Sequence, residues 1–426
     1  MRQIILITGI IFLFGKMAVS QTEPKTCKDC HSGILEKKVV HAVAAEACDG
    51  CHSSNGIEHP KQGVKGFDLA EQLPALCYMC HEEKKQATIH APVEAGECLT
   101  CHSPHASDTK GLLVNDKQQD LCFTCHDAGI LARQVKHKPV ADGKCSDCHD
   151  PHTSDFQKLT KADKPQLCFN CHVSVQMQTK NKVQHPPFGE DCATCHEIHS
   201  ADVQNLLTQA MPGLCYNCHD MQSAAESAKV VHKVVNDAKG CANCHSPHAS
   251  NQERLLTKAG KEICLDCHSR TIRSVDRTLA NIGQMLKKGN TVHGVIENDG
   301  CTVCHNPHYS ANGKLLTAAF PEGVYVSGKP ETFELCFTCH DQELLTAETT
   351  TATGFRNGER NLHFLHISGP KARNCTVCHN VHGSAGLHLI GDKVKFGNWD
   401  MPVQYKAEEN GGSCNTGCHA EKKYLR

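Results

Sequence analysis

Thirty cysteines and thirty-one histidines stand in a chain of 426 residues, and their spacing is regular enough to name a chemistry. Fourteen times two cysteines are separated by two residues and followed at once by a histidine: Cys27 with Cys30, Cys48 with Cys51, Cys77 with Cys80, Cys98 with Cys101, Cys122 with Cys125, Cys145 with Cys148, Cys168 with Cys171, Cys192 with Cys195, Cys215 with Cys218, Cys241 with Cys244, Cys264 with Cys267, Cys301 with Cys304, Cys336 with Cys339 and Cys375 with Cys378. A fifteenth pair, Cys414 with Cys418, has one residue more between its members, and with it every cysteine is used. Such a segment attaches a c-type haem: the thiols form thioethers with the porphyrin vinyls and the next histidine binds the iron. Three residues make about one helical turn, so both sulfurs face one way. Zinc sites and disulfides also use paired cysteines, but neither needs a histidine after every pair. The reading is fifteen covalent haems.

The proximal iron ligands are then His31, His52, His81, His102, His126, His149, His172, His196, His219, His245, His268, His305, His340, His379 and His419. Sixteen histidines remain for fifteen sixth positions. Fourteen recur at fixed offsets from the attachment sites: His41, His59, His90, His105, His137, His152, His185, His199, His232, His248, His293, His308, His366 and His382. His363 and His388 fall outside the register, one expected on the terminal haem and the other spare. His102 and His105 are too close in sequence to bind one iron from opposite sides. We expect His90 to bind the second haem of its own doublet, and His105 to reach back to the first. Two imidazoles per iron leave no open coordination position and hold the potential below that of a His/Met site.

The elements that must position these ligands form a repeat. Its unit is a doublet: Leu-Cys-aromatic-x-Cys-His, a gap holding one histidine, then Cys-x-x-Cys-His-x-Pro-His-x-Ser, often followed by Leu-Leu. Seven copies start at Cys27, Cys77, Cys122, Cys168, Cys215, Cys264 and Cys336. Residues 21–66 hold a degenerate first copy, with His59 displaced; 67–413 hold the other six; 414–426 hold a closing half-unit. Proline at 104, 151, 247 and 307 turns the chain after the attachment site, and Ile198 and Val381 replace it in two copies. The Leu-Leu pairs at Leu112, Leu206, Leu255 and Leu315 are expected to be contacts between copies. Tyr78, Phe123, Phe169, Tyr216 and Phe337 are expected to pack on porphyrin edges. Thr271 to Lys288, with Ile272, Val275, Leu279, Ile282 and Leu286 at helical spacing, predicts an amphipathic helix. Residues 346–361 and 386–412 read as exposed loops.

Composition agrees. Roughly 27 residues per attachment site are too few to bury an ordinary core, so the haems must be the core. Aromatics make up only 5% and there is one tryptophan. The fold expected is mostly irregular with short α-helices and almost no β: an elongated array with haems at its centre. Residues 1–20 read as an export signal, with Arg2, an apolar run from Ile4 to Gly15 and a small-x-small site at Ala18-Val-Ser20. That run is too short to span a bilayer, and no other segment reads as transmembrane. The formal charge of −2 becomes more negative as each bis-histidine haem adds roughly one negative charge. No basic face for nucleic acid survives.

Doublets such as Leu121-Cys-Phe-Thr-Cys-His126 with Cys145-Ser-Asp-Cys-His-Asp-Pro-His152 resemble the doubled CXXCH multihaem cytochromes of metal-respiring and related bacteria, as does the ending Gly411-Gly-Ser-Cys-Asn-Thr-Gly-Cys-His419. The resemblance implies a periplasmic or outer-surface electron carrier. Its partners would be redox proteins, and in some relatives an outer-membrane porin or further copies in a filament. The alternative is a multihaem reductase of nitrite, hydroxylamine or sulfur oxyanions, which needs one open iron. Haems this close charge one another, so the redox titration should be broad and unresolved and lie mostly below zero millivolts. Spectroelectrochemistry checks this; one sharp wave at a His/Met potential would contradict it.

Overall fold

The computed structural model describes residues 25–274 and 277–426, so the expected export signal lies outside the described residues. The described residues form two compact bodies, one of those up to 132 with 138–163, the other of 133–137 with those from 164 on. Among the described residues no helix is long and apolar enough to cross a membrane.

Three small devices recur in both bodies. The first is the attachment turn. In the sites from Cys77 and Cys98, for example, the histidine N–H donates to the first cysteine's carbonyl at 2.9 and 3.0 Å, closing a single helical or 3₁₀ turn that leaves both sulfurs on one side. The second is a short antiparallel ladder between copies. Residues just before a mid-gap histidine pair with those just after the next copy's trailing histidine: Thr88–Ile89 with Thr153–Ser154, Val135–Lys136 with Ser200–Ala201, Val183–Gln184 with Ala249–Ser250, and Val230–Val231 with Tyr309–Ser310. Two residues make a weak ladder, but it fixes which histidines become neighbours.

The third device gives the Leu-Leu pairs a different role from the expected one. Their first leucines, Leu112, Leu206, Leu255 and Leu315, have φ between 56° and 60°, and Leu159 and Leu389 occupy the same position in their copies. The preceding residue is left-handed as well: Gly111, Lys158, Asn205, Arg254, Lys314 or His388. Left-handed leucine is strained, so the turn must be held. The carbonyls of these leucines accept from the residue after the attachment histidine, as Ser103 N–H to Leu112 O and Asn306 N–H to Leu315 O, both 2.7 Å. The conserved-register serine fastens the far side, with Ser310 Oγ donating to Leu316 O at 2.5 Å and accepting from Asn312 N–H at 2.9 Å.

Two sequence expectations are corrected. Thr271 to Lys288 is not one helix: Ile272–Arg273 and Thr278–Leu279 form a hairpin, and only Ile282–Met285 is helical. A short apolar run satisfies either period, and the turn between the strands decides it; Val275 lies outside the described residues. The stretch 386–412 is not a loop either. Lys393–Phe396, Trp399–Glu408, Gly411–Thr416 and His419–Leu425 form a four-stranded antiparallel sheet in chain order. Its alternation buries Met401, Val403 and Tyr424 on one face. In 346–361 a small hairpin, Arg356–Asn357 with Arg360–Asn361, interrupts the loop.

Ser310→Ala removes a buried donor and leaves Leu316 O with a poorer partner, Asn312 Nδ2 at 3.3 Å. We expect a loss of about 1 kcal/mol, read as a lower denaturant midpoint of the haem-loaded protein by circular dichroism. An unchanged midpoint would show the bond to be dispensable.

Candidate haem-binding array

The ladders carry the mid-gap histidines into position. His90 N–H donates to His152 O at 2.9 Å, and His185 N–H to His248 O at 2.9 Å. The ring follows: Nδ1 of His41, His90, His185 and His232 lies 2.8–2.9 Å from the carbonyl of Pro104, Pro151, Pro247 and Pro307. A carbonyl only accepts, so Nδ1 carries the proton and Nε2 keeps its lone pair for a metal. His137 and His293 make the same bond to the carbonyls of Ile198 and Val381. The carbonyl and not the proline ring is what the position supplies, which explains why two copies do without proline.

The left-handed turns do the same for the proximal ligands of the second haem of each doublet. Nδ1 of His102, His149, His196, His245, His305 and His379 lies 2.8–3.0 Å from the carbonyl of Gly111, Lys158, Asn205, Arg254, Lys314 and His388. Each imidazole is oriented by backbone that belongs to its own copy.

These oriented rings meet in pairs across copies. His41 faces His81, His90 faces His126, His137 faces His172, His185 faces His219, His232 faces His268 and His293 faces His340, with ring centres 5.9–6.3 Å apart. In the other direction His105 faces His52, His152 faces His102, His248 faces His196, His308 faces His245 and His382 faces His305, at 5.8–6.2 Å. Most of these pairs are within about 30° of parallel. Two metal–nitrogen bonds of about 2.0–2.1 Å, with about 1.1 Å from each nitrogen to its ring centre, require about 6.2–6.4 Å, so the rings stand within a few tenths of an ångström of the separation an intervening iron needs. The residues fit a bis-histidine haem.

The pairing expected within one doublet is not the one the structure makes. It brings His90 to His126 of the next copy, not to the Cys98 site, and His105 to His52 of the copy before, not to the Cys77 site. His59 faces His31 at 6.0 Å, and His366 faces His419 at 6.5 Å with the planes 47° apart. The histidine brought to the Cys414 site is thus the in-register His366, not His363 or His388. His149 and His199 keep register and belong to different bodies.

The attachment cysteines are close as well. The first cysteines of five doublets are hydrogen-bond neighbours: Cys77 with Cys98, Cys122 with Cys145, Cys215 with Cys241, Cys264 with Cys301 and Cys336 with Cys375. Second cysteines lie within electrostatic range of the following copy, Cys101 of Cys125, Cys195 of Cys218, Cys244 of Cys267 and Cys378 of Cys418. Burial pushes the thiols of Cys122 and Cys378 up to about 11, with their cysteine neighbours adding to it. At Cys414 the strand replaces the attachment turn: Cys414 and His419 lie on adjacent strands joined at the Thr416–His419 pair. A hairpin in place of a helical turn accounts for the extra residue. Among the described residues no three His, Cys, Asp or Glu side chains gather as a bare metal ion requires.

The architecture is that of a multihaem c-type cytochrome, a protein that binds haem covalently and transfers electrons. The family model for the doubled CXXCH motif matches residues 41–86, 90–130, 137–177, 185–224, 232–273 and 293–344, more than half of the chain, and the chain belongs to that family. No curated protein matches it. The matched segments begin at a mid-gap histidine and end beyond the next copy's first site, so each contains one facing pair, such as His90 with His126. The repeat is phased differently from the doublet read in the sequence. In that phase His366 to His419 is a seventh unit, although the family model does not reach it.

His90→Ala should convert one haem to high spin. Combining it with Cys122→Ala and Cys125→Ala, which remove the haem that His90 is assigned to, should abolish that signal, whereas Cys98→Ala with Cys101→Ala should leave it. Paramagnetic resonance of the oxidised proteins decides; the reverse result would restore the assignment within one doublet.

Proposed function

We propose that the chain carries fifteen covalent haems and works as a multi-electron conduit, not an enzyme, exported to the periplasm or outer surface in anaerobic respiration. The observation that carries this is the neighbour relation of attachment sites within each body: five doublets join through their first cysteines, and successive doublets approach through their second at the sites described. Bound haem supplies a one-electron iron couple at each site.

The residues do three things in this role. The cysteines hold neighbouring sites close, and tunnelling falls steeply with distance. The paired imidazoles would hold the iron from both sides, which would keep substrates off it. Backbone carbonyls at Nδ1 hold the rings in one orientation and raise their basicity, so oxidation and reduction need little rearrangement. Donors and acceptors would be other redox proteins, exchanging electrons at exposed edges of the array.

The test is stoichiometry with ligand uptake. Pyridine haemochrome assay and intact mass should give fifteen haems per chain, and the reduced protein should take up no carbon monoxide. Stoichiometric uptake, with turnover of nitrite or hydroxylamine, would overturn the conduit in favour of a reductase.

A further inference from the structure

The exchange of ligands between copies leaves two sites outside it. His31 of the Cys27 site faces His59, displaced from the register within its own copy. Near His379 of the Cys375 site the in-register rings His382 and His366 face His305 and His419 instead, which leaves the two out-of-register histidines, His363 and His388, and the structure separates them.

His388 is exposed and sits in the left-handed turn, φ 53°, where the other copies carry Gly111, Lys158, Asn205, Arg254 and Lys314. Its carbonyl accepts from Nδ1 of His379 at 2.9 Å, which places its backbone at the edge of that ring away from the metal-binding nitrogen. His363 is different. It shares one helical turn, Leu362–Ile367, with His366, three residues on and so on the same face. Asn361, 1% exposed, holds that turn: its Oδ1 accepts from the N–H groups of His363 and Phe364 at 3.0 and 3.2 Å, and its Nδ2 donates to the carbonyls of Glu343 and Ala347 at 3.0 and 2.8 Å. Phe355 packs edge-on against the His363 ring at 5.1 Å. The Nδ1 of His363 lies 3.4 Å from Thr353 Oγ1, which leaves Nε2 for a metal, and burial first, then His379 as the strongest charged neighbour, lowers its pKa.

We propose that His363 is the iron ligand opposite His379. The inference deepens the conduit reading and rests on its bis-histidine sites. One helical turn then ligates two irons, His363 that of the Cys375 site and His366 that of the Cys414 site, and His388 is the spare histidine.

The experiment compares wild type, His363→Ala, His388→Ala and His363→Met as haem-loaded proteins, by low-temperature paramagnetic resonance with spins counted against haem and by carbon monoxide titration. His363→Ala should gain one high-spin haem and one equivalent of carbon monoxide per chain, and His388→Ala none. His363→Met should return to low spin with one haem raised in potential, as His/Met ligation requires. A fully low-spin His363→Ala, or a high-spin haem in His388→Ala, would overturn the assignment. If His363→Ala loses haem, the methionine variant decides: full loading with no shifted haem is contrary to the proposal. A high-spin haem already in wild type, unchanged in His388→Ala, sinks the closed-conduit reading separately, and a second one in His363→Ala would still support this ligand.

Discussion

An imidazole binds iron through Nε2 with a fixed direction only when Nδ1 is protonated and held, and the array depends on that constraint. A side-chain partner at every Nδ1 would need a second set of polar residues in a chain with little interior. For the mid-gap histidines and the second proximal histidine of six doublets the protein uses backbone carbonyls, which are present at every position and accept without titrating. Placing them is what the irregular backbone is for. The left-handed turn at Lys314-Leu315 and the ladder that brings Pro151 to His90 look like poor secondary structure, yet each aims one carbonyl at one ring nitrogen. Strain at Leu315 persists because its own carbonyl and the Ser310 hydroxyl hold the turn from both sides.

The chemistry was legible from the sequence and the wiring was not. Cysteine pairs followed by histidine identify attachment sites because covalent bonding demands adjacent residues. Axial ligation makes no such demand, since the second imidazole can come from any part of the chain that arrives at the right distance. His90 lies eight residues from Cys98 and thirty-two from Cys122, and nearness in sequence pointed to the wrong one. The ladder of Thr88–Ile89 with Thr153–Ser154 decided it, and two-residue strands leave almost no trace in composition. Proline at 104 and 151 was visible, but its meaning lay in a carbonyl that every residue has. The C-terminal sheet was missed for a related reason: Trp399 to Glu408 does alternate, but glycines on both sides of it read as loop.

Ligand exchange also says where cohesion comes from. Buried hydrophobic side chains are few, and a cluster such as Phe169, Phe188 and Ala249 is small. Copies that ligated only their own irons would be beads joined by two-residue ladders. With His105 on the iron of His52 and His90 on that of His126, metal–ligand bonds would tie these copies together. Stability should then be a matter of neighbours, as in other repeat proteins, but with coordination bonds replacing the apolar interface.

Ligand exchange leaves two sites that it does not serve, and an iron there still needs a sixth ligand. The degenerate spacing at His59, which faces His31, and the out-of-register His363 are departures from the repeat at the two sites that its regular histidines do not reach. Irregularity in the sequence marks those sites, while the regular copies need no adjustment. The four-stranded sheet fits the same argument, because Cys414 and His419 lie on its strands and their attachment segment departs from the repeat as well.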